Sequence, residues 1–179
     1  MKGIVFTELL EMVEDKFGYE MVDTLLTETD LPSGGIYTSI GTYDHAEIAA
    51  LIVKMSEKSN IPVPDLLYAF GRHMFAVFTK GYAHFFEKAA DAFDFLRSIH
   101  NYIHVEVRKL YPDAQLPHFA INEPDSQTLV MVYSSDRKMA MLAKGLIDGC
   151  LEHFGEEAEV TMQSLTEDGS QVAFNIKKK

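Results

Sequence analysis

Phe6, Leu10, Val13 and Phe17 recur at helical spacing while Glu8, Glu11 and Glu14 point elsewhere, so the chain opens on an amphipathic helix over residues 2–17. Gly18 ends it, and residues 19–26 predict a second, shorter helix. Residues 27–43 hold Pro32, Gly34, Gly35 and Gly41 and read as a long loop. Asp44 then stands where a helix N-cap is needed, with Glu47 placed to complete a capping box, ahead of the apolar stripe Ile48, Leu51, Ile52 and Met55. Pro62 and Pro64 restart the chain into a helix over residues 65–80, striped by Leu67, Phe70, Met74 and Phe78. A further helix is predicted over residues 87–99, leading into one that carries His104 and stops at Tyr111-Pro112, where proline cannot continue the ladder. The first 110 residues are thus nearly all helix.

Beyond that point the period changes. Residues 119–121 and 128–133 read as strands around a Pro-Asp-Ser turn at 124–126. Residues 138–154 return to helical spacing, and strands over 159–165 and 171–176 flank an Asp168-Gly169 hairpin signal. The pattern predicts an α+β fold: a mainly helical N-terminal part packed on a C-terminal part with a small antiparallel sheet of about four strands.

The composition narrows the function classes. One domain is expected from 179 residues, and 47% hydrophobic content is enough for a proper core. Sixteen basic against 27 acidic residues leave a net charge of −11, which repels phosphate backbones and anionic lipid headgroups, so neither nucleic acid nor membrane is an expected partner. The single cysteine, Cys150, rules out an intramolecular disulfide and a cysteine-rich zinc site. Glu8 and Glu11 interrupt any signal-peptide core, and no run is long enough to span a bilayer, so a soluble, cytoplasmic protein is expected.

Two groups of residues carry candidate chemistry. His104 shares a helix face with Val107 and Tyr111, which suits either a core histidine with a hydrogen-bond partner or a metal ligand. Tyr133, Ser135 and Arg137 stand at alternate positions where the second strand runs out, so their side chains point the same way. That array is either a solvated strand end or a compact set of donors for one or two carboxylates. Together the two groups offer a cation site and an anion clamp, which a metalloporphyrin with two propionates needs.

At these residues the chain resembles the H-NOX family, the heme nitric oxide/oxygen binding domains also found as the sensor region of soluble guanylate cyclase. Tyr133, Ser135 and Arg137 match the family's Tyr-x-Ser-x-Arg motif, and His104 with Tyr111-Pro112 and Pro117 matches its axial histidine and the prolines after it. The Met1-Lys2-Gly3 start and the length of 179 residues also fit. The resemblance implies one H-NOX domain over 1–179, with a distal helical part over about 1–60 and a proximal part with the sheet over about 61–179. It implies heme b bound through His104, its propionates held by Tyr133, Ser135 and Arg137, and its porphyrin bent by Pro117. Arg137 is expected to be harder to replace than Ser135, since a bidentate charged contact outweighs one neutral hydrogen bond.

On the distal side, family members that bind O2 carry a donor tyrosine with polar supports. The matching positions here are Leu142, with Leu9 and Met74 as supports, and all three are apolar. Val5, Phe78 and Leu146 would complete the pocket wall, a role compatible with plain core packing. The resemblance therefore implies a sensor of NO and CO that excludes O2. NO would lengthen or break the Fe–His104 bond, and the N-terminal helices would shift against the C-terminal part. No catalytic module is recognisable, so the output would pass to a separate protein, in bacteria a histidine kinase or a cyclic-di-GMP enzyme. Two rival readings are enzymes. His100 and His104 have the spacing of a helical zinc pair, with His118 as a conceivable third ligand, but Glu106 lies on another face and no His-Glu-x-x-His is present. A peroxidase-like heme enzyme would need a distal acid–base group where the chain has Leu9, Met74 and Leu142.

Overall fold

The computed structural model describes residues 1–179. Helix α1 (Gly3–Phe17) and helix α2 (Tyr19–Glu28) meet at Gly18, whose φ of 84° is a conformation that only glycine adopts without strain. Phe6, Leu9, Met12 and Val13 make the buried face of α1, with Leu10 and Phe17 half-buried at its border, so the stripe is rotated slightly from the predicted one. Asp44 caps helix α3 (His45–Ser59) as expected, its carboxylate accepting from the Ala46 amide at 2.9 Å. Glu47 does not close the capping box. It is only 5% exposed and accepts instead from the Ser33 hydroxyl at 2.5 Å and the Tyr37 phenol at 2.8 Å. A carboxylate out of water requires such donors, so Glu47 fastens the loop of residues 29–44 onto α3.

Helix α4 (Val63–Gly81) starts two residues earlier than predicted, with Pro64 in its first turn, where no backbone hydrogen bond is lost. The single helix predicted over 87–99 is broken. A one-turn helix, α5 (Ala83–Phe86), comes first, and Asp91 then caps helix α6 (Ala92–Ser98) by accepting from the Asp94 amide at 2.7 Å. A π-helical turn, Ile99–Ile103, delivers the chain into helix α7 (His104–Leu110), which ends before Pro112 as expected.

Strands β1 (His118–Asp125), β2 (Thr128–Ser134), β3 (Ala158–Ser164) and β4 (Gln171–Lys178) form one antiparallel sheet in the order β1-β2-β4-β3, with helix α8 (Ala140–His153) between β2 and β3. Strand β1 runs longer than predicted and contains Pro124. It is an edge strand whose register shifts between Asn122 and Asp125, and there a missing amide does no harm. Leu129, Met131 and Tyr133 on β2, and Val172, Phe174 and Ile176 on β4, turn one face of the sheet inward.

Two apolar clusters result. One joins α1, α2 and α3 to the first part of α4 and to Met139, and the other joins the sheet to α6, α8 and Phe75 of α4. Helices α4 and α8 cross closely enough that a Cβ on Gly71 would meet the Leu142 carbonyl, and one on Gly145 would meet the Tyr68 carbonyl. No helix is long and apolar enough to cross a membrane.

Candidate functional site

His104 is the first residue of α7, immediately after the π-turn, a backbone irregularity that often marks functional positions. Its ring is largely buried, and Nδ1 has no hydrogen-bond partner. Burial pushes its pKa down to about 4, helped by His100 and Arg108, while the Pro117 carbonyl works in the opposite direction. The ring is therefore neutral at ordinary pH and offers a lone pair. Phe119, at the start of β1, lies between the two candidate groups, tilted to His104 and edge-on to Tyr133. Its ring centroid lies 6.0 Å from that of His104 and 5.8 Å from that of Tyr133, its register partner on β2. Sequence reasoning passed over Phe119, although its place in a strand pattern just after Pro117 was the available signal.

The donor array forms where β2 runs out. The Tyr133 hydroxyl accepts from the Met139 amide at 3.1 Å, and Ser135 Oγ accepts from the Arg137 amide at 3.2 Å. Each hydroxyl thus has an acceptor lone pair engaged and its own proton free to donate. Burial lowers the Arg137 pKa, and only the neighbouring Tyr133 phenol counteracts it; no carboxylate of the chain does. A desolvated guanidinium near the Tyr133 phenol, with no carboxylate of the chain beside it, suits an anion brought from outside the chain. The Met1 ammonium is close enough to Arg137 for its own pKa to be lowered, after the larger effect of burial.

The apolar residues expected around a gas ligand fall into one region. Leu9 and Met74 are almost wholly buried in the N-terminal cluster, and Val5 and Leu142 pack against it. Phe78 and Leu146 touch both clusters and so stand at their border. A cavity of about 360 Å³ opens beside the chain's first residues, lined among others by Met1, Lys2, Thr42, Asp113 and Gln115.

The zinc reading is not sustained. His100 and His118 do meet, with ring centroids 4.2 Å apart, and His104 lies 6.3 Å from His100. Yet no three His, Cys, Asp or Glu side chains come close enough to share a metal ion, and Glu106 pairs outward with Lys109 at 2.6 Å.

Residues 2–162 match the family model described as Haem-NO-binding. Among solved structures, the chain is similar to an Fe(II) unliganded H-NOX protein from K. algicida, with 44% identity, a TM-score of 0.96, and 100% of this chain and 97% of that one covered. An H-NOX from Shewanella woodyi in the Fe(II)CO state, with IWP-051 bound, is 44% identical at a TM-score of 0.85, covering 100% and 95% of the two chains. An H-NOX protein from S. oneidensis in the Fe(II)NO state is 27% identical at a TM-score of 0.92, covering 100% and 99%. Comparison with curated protein sequences gives no match. With the family model matched over residues 2–162 and the fold shared along the whole chain with these proteins, the chain belongs to the Haem-NO-binding, or H-NOX, family.

Proposed function

We propose that this chain is a heme-based sensor that binds NO and CO, excludes O2, and signals to a separate protein. The observation that carries the reading is a mismatch inside the chain itself: the buried Nδ1 of His104 lacks a partner, and the desolvated Arg137 lacks a carboxylate. Heme b would meet both deficits, with His104 holding its iron and Tyr133, Ser135 and Arg137 donating to its propionates. Bound heme would supply a ferrous iron that takes up a diatomic gas and whose bond to His104 weakens when the gas is NO. Support for the gases comes from the relatives described with NO and with CO.

The chain's own residues account for the rest. Pro117, whose carbonyl acts on His104, would press on the porphyrin. Val5, Phe78 and Leu146 complete the wall on the far side, and Leu9, Met74 and Leu142 present no donor there. O2 depends on such a donor; a hydrogen bond to a charged acceptor contributes about 1.5–3 kcal/mol, so its absence lowers O2 affinity by about ten- to a hundredfold. A peroxidase-like reaction lacks its acid–base group for the same reason.

His104 also sits where movement is easy, because neither the π-turn nor α7 contains a fully buried residue. A shift of this segment relative to the N-terminal helices would disturb only the half-buried Ile99, Tyr102 and Ile103 at the edge of the second cluster. We propose the N-terminal helical part, about residues 1–60, and the remainder as the two bodies that move. A histidine kinase or a cyclic-di-GMP enzyme, in the cytoplasm, is the proposed receiver of that shift. The test is an absorption spectrum of the purified, reduced protein. It should carry a heme band, shift to a five-coordinate NO form on addition of NO, and show no lasting oxy form in air. A colourless protein after reconstitution with hemin overturns the proposal.

A further inference from the structure

Three segments meet beside the 360 Å³ cavity: residues 1–3, the end of the 29–44 loop, and the stretch that follows α7. The first two are zipped through their backbones. The Gly3 amide donates to the Gly41 carbonyl at 2.8 Å, the Tyr43 amide to the Met1 carbonyl at 2.9 Å, and the Met1 ammonium to the Tyr43 carbonyl at 2.6 Å. The third segment is attached by side chains alone. Lys2 Nζ donates to Thr42 Oγ1 at 2.8 Å and reaches the two Asp113 oxygens at 3.3 and 3.4 Å. Thr42 Oγ1 in turn donates to Asp113 Oδ2 at 2.6 Å, closing a three-membered cluster. The Lys2 ammonium also lies 5.2 Å from the centre of the Tyr111 ring.

The place of Asp113 in the chain gives this cluster its meaning. It lies between His104 and Pro117, the two residues proposed to meet the proximal face of the heme. The π-turn and α7 bury nothing fully, so the path from His104 to Pro117 is weakly anchored by its own packing. Lys2, by contrast, is only 15% exposed and stands at the root of α1, the helix that carries Val5 and Leu9. The side-chain cluster therefore ties the proximal segment directly to the helix of the gas pocket.

Resting on the heme reading above, we infer that Asp113, held by Lys2 and Thr42, is a positioning residue for His104: it clamps the 111–117 segment to the root of α1 and so holds the imidazole in its ligating position. An ion pair whose carboxylate, on Asp113, is open to solvent is a weak clamp, and its removal changes an equilibrium by about two- to fivefold. A clamp of that strength restrains a switch without locking it.

The test uses the purified holoprotein, Asp113→Asn, Lys2→Ala, and the charge-reversed pair Lys2→Asp with Asp113→Lys. Two quantities are read: amide exchange of peptides covering residues 1–6 and 111–117, and the iron–histidine stretching frequency of the ferrous protein. Each single variant should speed exchange in both peptides by about two- to fivefold and lower the stretching frequency, and the reversed pair should restore both. Faster exchange with an unchanged frequency would reduce the cluster to a surface fastening and overturn the inference. Unchanged exchange in every variant would overturn it as well. A holoprotein whose iron–histidine band survives His104→Gly without added imidazole would defeat the functional reading instead.

Discussion

Replacing Gly71 by alanine tests whether the α4–α8 crossing sets the shape of the gas pocket. An added Cβ would sit far inside contact distance of the Leu142 carbonyl oxygen and 3.0 Å from the Cα of Gly145. Both neighbours are backbone, so no side chain can swing away; the two helices must part. Overpacking of this kind costs about 1–3 kcal/mol, and each kcal/mol lowers the melting temperature of a domain this size by about 2–4 °C. The expected drop is about 2–12 °C. The consequence for function follows from position, because Met74 lies one turn beyond Gly71 on α4 and Leu142 one turn before Gly145 on α8. Parting the helices there loosens the apolar wall, and CO should associate faster with the ferrous protein. Gly145→Ala, whose Cβ would crowd the Arg72 amide at 2.9 Å, should do the same from the other side. Thermal melts and CO flash-photolysis read the two effects. A Gly71→Ala protein that melts with the wild type and rebinds CO at the wild-type rate would refute the reasoning.

Leu142→Tyr adds a donor to the apolar wall and should raise O2 affinity by about ten- to a hundredfold, read as a slower decay of the oxy spectrum; a decay no slower than wild type would count against the donor argument. Arg137→Ala should weaken heme retention on gel filtration well beyond Ser135→Ala, since a charged double contact is lost rather than one neutral bond; equal losses would remove Arg137 from the anchor. The pH dependence has a definite sign. The folded pKa of His104 is depressed from 6.5 to about 4, so its nitrogen is free for iron at pH 7 and at pH 5.5 alike. Heme uptake by the heme-free protein should hold between those values and fall only near pH 4, whereas a tenfold fall already at pH 5.5 would contradict the burial argument. Over the interval from 6.5 down to about 4 the unfolded chain binds a proton that folded His104 refuses, so this residue makes the heme-free fold lose stability as the pH drops.

Much of this molecule was legible because periodicity and capping are local. The stripe of α3, the Asp44 cap, the Tyr111-Pro112 stop and the alternation on β2 follow from spacing that survives into the fold. On α4, Phe70 and Met74 are buried as predicted, but Leu66 and Phe75 take the fully buried places expected of Leu67 and Phe78. What failed had a competitor elsewhere in the chain. Glu47 has the sequence position of a capping-box acid, but Ser33 and Tyr37 bury it and take its carboxylate. The break before α6 had a local signal that was passed over, Asp91 three residues ahead of Asp94, hidden within an apolar run that reads as continuous helix. The π-turn before His104 leaves no mark in the residue pattern. In the candidate site, the residues taken from the motif fell close together in space, whereas Phe119 and the Lys2–Thr42–Asp113 cluster depend on segments that only folding brings together.

The central claim is that one imidazole holds the iron, and His104→Gly tests it most directly. The variant should lose its heme on purification and recover a histidine-like ferrous spectrum when grown and purified with free imidazole. A variant that keeps the wild-type spectrum without imidazole would place the iron on another residue and contradict the account.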